Sequence, residues 1–279
     1  MLLTLAQLEQ YFQRIGYTGP RSATLETLCA LHRLHPLAIP FENLDPWLGQ
    51  PPTLDGAVLF DKLVLRQRGG YCLEQNGLFA QVLQTLGFTV RGLSARVFWN
   101  LDADAQPPRT HQALLVAVAG AEWLVDVGFG GLTLLGPLRL APDCAQSTPL
   151  ETLRLRQSGT GFMLDALLPS GAKPMYHFVL ETALPADFIQ SNWYVGAYPQ
   201  SRFVRHLITA CVRLEANHTL TRHNLFDRAY SIYRSGQAPE IHTLQNAAQL
   251  RQLLREVFAL PIDALPSLAA RVQTLFSEQ

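Results

Sequence analysis

At Gly87 the spacing of apolar residues changes, and no other feature of the chain limits its fold as much. Up to that point apolar residues recur at helical spacing. Leu5, Leu8, Phe12 and Ile15 form one apolar face. TLETLCALHRLH forms a second helix that opens after Ser22 and stops before Pro36, where the ladder would lose a donor. HPLAIPFENLDPWLG reads as a proline-punctuated loop. A further helix begins at Cys72 and runs to Leu86, with Phe79, Leu83 and Leu86 on one side and Leu78 and Val82 beside them. Beyond Gly87, FTVRGLSARVFWN, HQALLVAVA and AEWLVDVGF are rich in Val, Leu and aromatics, the pattern of a mostly antiparallel sheet or small barrel. TLRLRQ, FMLDAL and MYHFVLET continue it. Past about residue 185 the pattern mixes. SNWYVGAYPQSRFVRHLITACVRLE suggests a loop feeding strands, while NAAQLRQLLREVF and PSLAARVQTLF are helical. Helices, then sheet, then a mixed tail predict an α+β fold in three regions, 1–87, 88–190 and 191–279.

Composition narrows the function classes. The chain of 279 residues is 48% hydrophobic and 16% charged, which suits a globular protein with a sizeable core. Its 22 basic and 22 acidic residues cancel, so neither nucleic acid nor an anionic membrane surface is indicated as a partner. MLLTLAQLEQYFQRIG lacks the basic and apolar regions of a signal peptide, and no apolar run approaches the roughly 20 residues that cross a bilayer. Cys29, Cys72, Cys144 and Cys211 are far apart with no CxxC pair, so reduced thiols and a cytoplasmic location are expected. No metal is expected either. His32 and His35 lack the i, i+4 spacing of a helical zinc pair, no HExxH occurs, and His206, His218 and His223 have no paired spacing.

The chemistry concentrates in RGGYCLEQN at 68–76. A cysteine acts as a nucleophile through its thiolate, which a helix N-terminus favours. RGGYC sets Cys72 on such a turn, and the glycines permit close approach of the backbone to a substrate. A buried structural thiol has the same local sequence, since free Cys is among the most buried residue types. A base distinguishes the two. If Ala119-Gly120 form a two-residue hairpin turn, Val118 pairs with Ala121, His111 faces Gly128, and Asp126 is a diagonal neighbour of His111 on the same face. Gly128 would leave open space beside the ring. That juxtaposition has the logic of nucleophile, base and orienting carboxylate. The gap from Cys72 to His111 is far shorter than in papain-type proteases. Arg68 and Glu74 bracket Cys72 as a candidate ion pair supporting the helix, and Asn43 and Asn76 are candidate local backbone hydrogen-bonders.

With these residues in view, the sequence resembles the arylamine N-acetyltransferases over essentially its whole length. The resemblance rests on PFENLD at 40–45, RGGYCLEQN, ARVFW at 95–99, TH at 110–111 and VDVGFG at 125–130, with NWY and P-x-S-x-F across 192–203. It implies a catalytic triad of Cys72, His111 and Asp126. The implied fold is a papain- or transglutaminase-like cysteine enzyme core, in which a helical bundle is followed by a β-barrel and an α/β lid. It also implies a two-step acetyl transfer. Acetyl-CoA, the acyl donor, acetylates Cys72, and an aromatic amine, hydrazine or N-hydroxyarylamine then takes the acetyl group. Phe41, Val97, Phe129 and Phe203 are the implied walls of the acceptor cleft, with plain packing as the alternative. Gly128, Gly130 and Gly131 would offer N–H groups to the CoA phosphates, or simply turn the chain at a strand end. Two related activities stay open, an ansamycin-type amide synthase and a transglutaminase-like cysteine hydrolase. A fold retained without activity is a third alternative.

Overall fold

The structure, a computed structural model, describes residues 2–102 and 104–277; positions 1 and 278–279, the outer limits of the first and last expected regions, lie outside the described residues. The helical part comprises α1 (Leu5–Ile15), α2 (Leu25–Ala38), the short α3 (Leu44–Trp47), α4 (Gly56–Phe60) and α5 (Cys72–Thr85). A strand, β1 (Phe41–Glu42), lies between α2 and α3, and α4 runs into a π-helical turn over Asp61–Leu65. α1 is capped by Thr4, whose Oγ1 accepts the Gln7 N–H, and it ends at Gly16 with a left-handed φ of 70°. Tyr11, Phe12, Leu28, Leu31, Phe79 and Val82 fill the core between α1, α2 and α5.

α2 passes through Pro36 instead of stopping before it. Pro36 falls in the last turn, where losing one N–H breaks only one ladder bond, and the Ile39 N–H still closes on His35 O at 2.8 Å. The loop expected after it is also more ordered than the prolines suggested, because β1 and α3 lie within it.

Eight antiparallel strands follow: β2 (Thr89–Val97), β3 (Arg109–Val118), β4 (Ala121–Val125), β5 (Leu138–Arg139), β6 (Ala145–Ser147), β7 (Thr152–Ser158), β8 (Gly161–Leu168) and β9 (Gly171–Phe178). Their order is β5-β4-β3-β2-β9-β8-β7-β6. The two edges meet through Gln146, whose side-chain amide bonds the backbone N–H and C=O of Arg139 at 2.8 and 2.9 Å. The sheet is therefore a nearly closed barrel around Leu93, Leu115, Leu155, Leu164 and Phe178.

The remaining chain forms α6 (Pro185–Ala197), α7 (Arg202–Arg205), β10 (Ile208–Leu214), β11 (Leu220–Phe226), β12 (Ala229–Arg234), β13 (Glu240–Thr243), α8 (Ala247–Glu256) and α9 (Leu268–Ser277). SNWYVGA is thus helical, not the loop its aromatics suggested. Pro185 opens α6 where a missing N–H costs nothing, and Asp187 Oδ2 accepts the Leu184 N–H at 2.8 Å. The second sheet has the order β1-β10-β11-β12-β13, so a strand from the helical region forms its edge. Phe41, Tyr71, Cys72, Leu73, Phe188, Val195 and Ala210 pack together at the junction of the helices, the barrel and this sheet.

Candidate active site

Cys72 is the first residue of α5, so the amides of that first turn lie where a helix has no internal partners for them. The preceding glycines are required by contact. A Cβ on Gly69 would lie 2.1 Å from Pro40 O, inside any possible contact, so only glycine fits between the two segments. Below the turn is a cluster of buried charges. Arg68 binds Glu42 Oε1 at 2.8 Å and Asp45 Oδ1 at 2.7 Å, while Lys62 binds Glu74 Oε1 at 2.6 Å and Asp45 Oδ2 at 2.7 Å. Arg68 and Glu74 therefore do not pair with each other; each takes a different partner in one network. Glu74 Oε2 also accepts the Tyr71 N–H at 3.1 Å, fixing the backbone immediately before the cysteine. Three carboxylates share two cations here, and full burial raises the Glu74 carboxyl to about 7 despite Lys62.

His111 lies near the start of β3, beside an irregularity. Ala95 pairs with His111 but Arg96 pairs with Arg109, so Thr110 bulges out of the ladder. Its carbonyl accepts the Cys72 Sγ–H at 3.6 Å. The hairpin register is the one the sequence suggested, Val118 opposite Ala121, but the ladder ends at Leu114 and Val125. His111 therefore does not face Gly128. Asp126 has already left the strand, and its Oδ1 turns back to accept the Gly128 N–H at 2.9 Å, a local bond that ends the ladder. The freed Asp126 Oδ2 meets His111 Nε2 at 2.7 Å. Both residues are buried, at 3% and 0% exposure. Burial alone would keep His111 neutral, but the charges of Asp126 and Cys72 and hydrogen bonds to both outweigh it and lift the ring to about 10. Burial likewise opposes ionisation of Asp126, yet His111, Asn76 and the Gly128 N–H hold its pKa below the usual carboxylate value.

Gly128 presses against Cys72 instead of leaving space beside the ring. A Cβ there would lie 2.8 Å from Cys72 Cα and 3.0 Å from Asn76 Nδ2. Asn76 is one helical turn beyond Cys72 on the same face of α5. Its Nδ2 donates to Asp126 Oδ1 at 2.9 Å and Gln112 O at 2.7 Å, and its Oδ1 accepts the Val127 N–H at 3.0 Å. It is a long-range connector, not the local hydrogen-bonder expected, and so is Asn43, which bonds Phe203 O, His206 O and the Ile208 N–H. The i, i+4 relation to Cys72 was the available signal for Asn76; nothing in the sequence placed Asn43.

Cys72 and His111 open onto a cleft of about 620 Å³, a volume suited to a small organic ligand. Phe41, Val97, Phe129 and Phe203 all line it, as do Gly128 and Gly131. Phe129 stands edge-on to the His111 ring, with centroids 5.4 Å apart. Two of the three glycine amides expected to face phosphate are already engaged: the Gly128 N–H by Asp126 and the Gly130 N–H by Thr133 Oγ1 at 2.7 Å. Trp99, Tyr194, Arg202, Asn224 and Phe226 also line the cleft and were not singled out from sequence, because they converge from separate elements. Among the described residues, no helix is long and apolar enough to cross a membrane, and no group of three His, Cys, Asp or Glu side chains is placed to hold a metal ion.

Comparisons with known proteins identify the family of the chain. The sequence model of the N-acetyltransferase family matches residues 24–266. The arylamine N-acetyltransferase of Escherichia coli (strain K12) is 40% identical over 92% of this chain and 89% of its own length. The arylamine N-acetyltransferase / N-hydroxyarylamine O-acetyltransferase of Salmonella typhimurium is 40% identical over the same shares. Among solved structures, the arylamine N-acetyltransferase of Mycobacterium marinum in complex with CoA superposes with a TM-score of 0.91 at 38% identity, covering 96% of this chain and 99% of the other. A folded architecture shared almost end to end, with identity near two residues in five, places this chain in the arylamine N-acetyltransferase family.

Proposed function

We propose that the chain transfers the acetyl group of acetyl-CoA to the nitrogen of arylamines and arylhydrazines, and to the oxygen of N-hydroxyarylamines, through an acetyl-Cys72 thioester. The observation that carries this reading is the 2.7 Å contact between His111 Nε2 and Asp126 Oδ2 beside Cys72 at the floor of the cleft. With Nε2 committed to the carboxylate, Nδ1 is the nitrogen left to exchange a proton with the thiol. Cys72 and His111 then form a thiolate–imidazolium pair.

In the first half-reaction Sγ attacks the thioester carbon of acetyl-CoA. The backbone N–H of Cys72 stabilises the oxyanion, and CoA leaves as its thiol with the proton from His111. In the second, the neutral acceptor nitrogen attacks acetyl-Cys72, His111 takes its proton, and the Cys72 thiolate departs. Acylation removes the thiolate charge that helps to hold His111 protonated, so the ring becomes a better base at the moment a base is needed. Phe41, Val97, Phe129 and Phe203 supply apolar walls for an aryl ring, and Gly131 leaves the backbone accessible to the donor. The four unpaired thiols suit a reducing compartment, and we assign the enzyme to the cytoplasm.

Initial-rate kinetics test the reading. Double-reciprocal plots against acetyl-CoA at several fixed arylamine concentrations should be parallel, as a substituted-enzyme mechanism requires. Intersecting lines would mean that both substrates must be bound together. Rapid CoA release with no acceptor dependence would favour the cysteine hydrolase instead.

A further inference from the structure

α2 lies behind the triad, and its two histidines carry polar atoms into an otherwise apolar layer. Both are fully buried, and both present ring edges or faces to Phe79. His35 has partners on both nitrogens. Its Nε2 lies 2.6 Å from Gln75 Oε1, and its Nδ1 lies 2.8 Å from the Tyr11 hydroxyl. The Gln75 amide is oriented by its Nε2, which donates to Pro40 O at 2.8 Å and Gly70 O at 3.2 Å. His35 Nε2 therefore carries the proton and Nδ1 accepts from Tyr11. The chain of bonds ends at the carbonyls just before Phe41 and Tyr71.

His32 has a different arrangement. Its Nε2 lies 3.1 Å from the backbone nitrogen of Asp126, which can only donate. The ring proton must then sit on Nδ1, and Nδ1 has no partner of ordinary hydrogen-bond geometry. The backbone group that acts on the ring is the carbonyl of His32 itself. That carbonyl lacks its usual helical donor because Pro36, four residues on, has no N–H. A buried donor without a good partner costs folding free energy, and an apolar side chain at 32 would avoid that cost. What the imidazole provides instead is an acceptor for the Asp126 N–H at the point where β4 has ended and the ladder no longer supplies one.

We propose that His32 is a positioning residue of this enzyme: as a neutral imidazole it accepts the Asp126 backbone N–H and so fixes the carboxylate that orients His111. The proposal rests on the reading of Cys72, His111 and Asp126 as the reacting triad. The side chain of Asp126 is held by Asn76 and the Gly128 N–H, and its backbone by His32, so each part of the residue has its own anchor. Loss of the backbone anchor would tilt the carboxylate relative to His111 Nε2, where small displacements are felt strongly in rate.

Two measurements test it. The first uses the unaltered protein: nitrogen-15 NMR of labelled histidine should show His32 as the Nδ1–H tautomer, with an unprotonated Nε2, at neutral pH. An Nε2–H tautomer cannot accept the Asp126 N–H and would overturn the proposal whatever the enzyme does. The second compares His32→Leu, which keeps bulk and removes the acceptor, with His32→Gln, which restores an acceptor oxygen. His32→Leu should lower kcat roughly tenfold or more with little change in either KM, and should slow the alkylation of Cys72 by iodoacetamide at neutral pH. His32→Gln should recover most of both. Space-filling alone would leave the Cys72 alkylation rate of His32→Leu unchanged however far its Tm falls, and that result would overturn the proposal. If His32→Leu fails to fold, the tautomer and the recovery in His32→Gln still decide. Failure of the triad reading is visible separately, as a wild-type Cys72 that takes no acetyl group while His32 keeps its Nδ1–H tautomer.

Discussion

In the proposed cycle Cys72 becomes acylated, so Asp126 is the charged group that stays against the His111 ring throughout. On that reading its carboxylate decides which ring nitrogen faces the sulfur, as well as the stability of the imidazolium. Asp126→Asn keeps the shape but offers either an amide N–H or a weaker acceptor to Nε2. By analogy with triads in which the orienting carboxylate was replaced, kcat should fall by ~10⁴-fold while the fold persists, measured by steady-state turnover alongside circular dichroism. A variant within tenfold of wild type would show that Asp126 is dispensable. At this scale the sequence was informative about the closeness of His111 and Asp126, because the Ala119-Gly120 turn sets the register of the hairpin that leads to both. Both turn residues adopt left-handed φ, 53° and 71°, as that turn requires. The sequence was silent about His32, whose partner is a backbone amide 94 positions away and leaves no side-chain pattern to read.

At the scale of elements, α2 carries an acid sensitivity. Burial lowers the folded-state pKa of His32 to about 4 and of His35 to about 3, from an ordinary value of 6.5. Below about 6.5 the unfolded chain takes up protons that the folded chain refuses. The stability present above that pH is then lost progressively as the pH falls toward 4, and for His35 toward 3. Thermal melts should accordingly show Tm declining steadily below about pH 6.5, and His35→Gln should flatten part of the decline. A dependence of Tm on pH that is the same in His35→Gln as in the wild type would contradict the burial of that ring as a neutral species. Element type was legible where one face is apolar, as in α1, α5 and α8. It was not legible in α6, where Phe188, Trp193 and Tyr194 mask the helical pattern and three of its thirteen residues are buried. Nor was it legible at Pro36, where position within the last turn matters more than the residue type.

The whole molecule is assembled from segments that exchange edges. β1 comes from the helical region but pairs with β10, placing Phe41 opposite Ala210. The barrel is joined to the second sheet by Arg222, which is 1% exposed and binds Glu151 Oε1 at 2.6 Å and Thr133 O at 3.1 Å. Thr133 in turn holds the Gly130 amide, so this buried ion pair sits directly behind the glycine turn of the cleft. Arg222→Ala would leave Glu151 without its partner and should cost about 3 kcal/mol or more, read as a shift in the denaturation midpoint. A loss below about 1 kcal/mol would mean that solvent or another cation replaces the guanidinium. The order of helices, barrel and mixed tail was readable from the change of period at Gly87. The crossings between them were not, since strand pairing at such separations is set by which edges meet once the layers have packed.

The most direct test of the account is the intact mass of the protein after mixing with acetyl-CoA, first alone and then with an arylamine or hydrazine. The account predicts one acetyl adduct, located on Cys72, absent from Cys72→Ala and discharged when the amine is added. An unmodified mass on a Cys72 that iodoacetamide alkylates readily would contradict it.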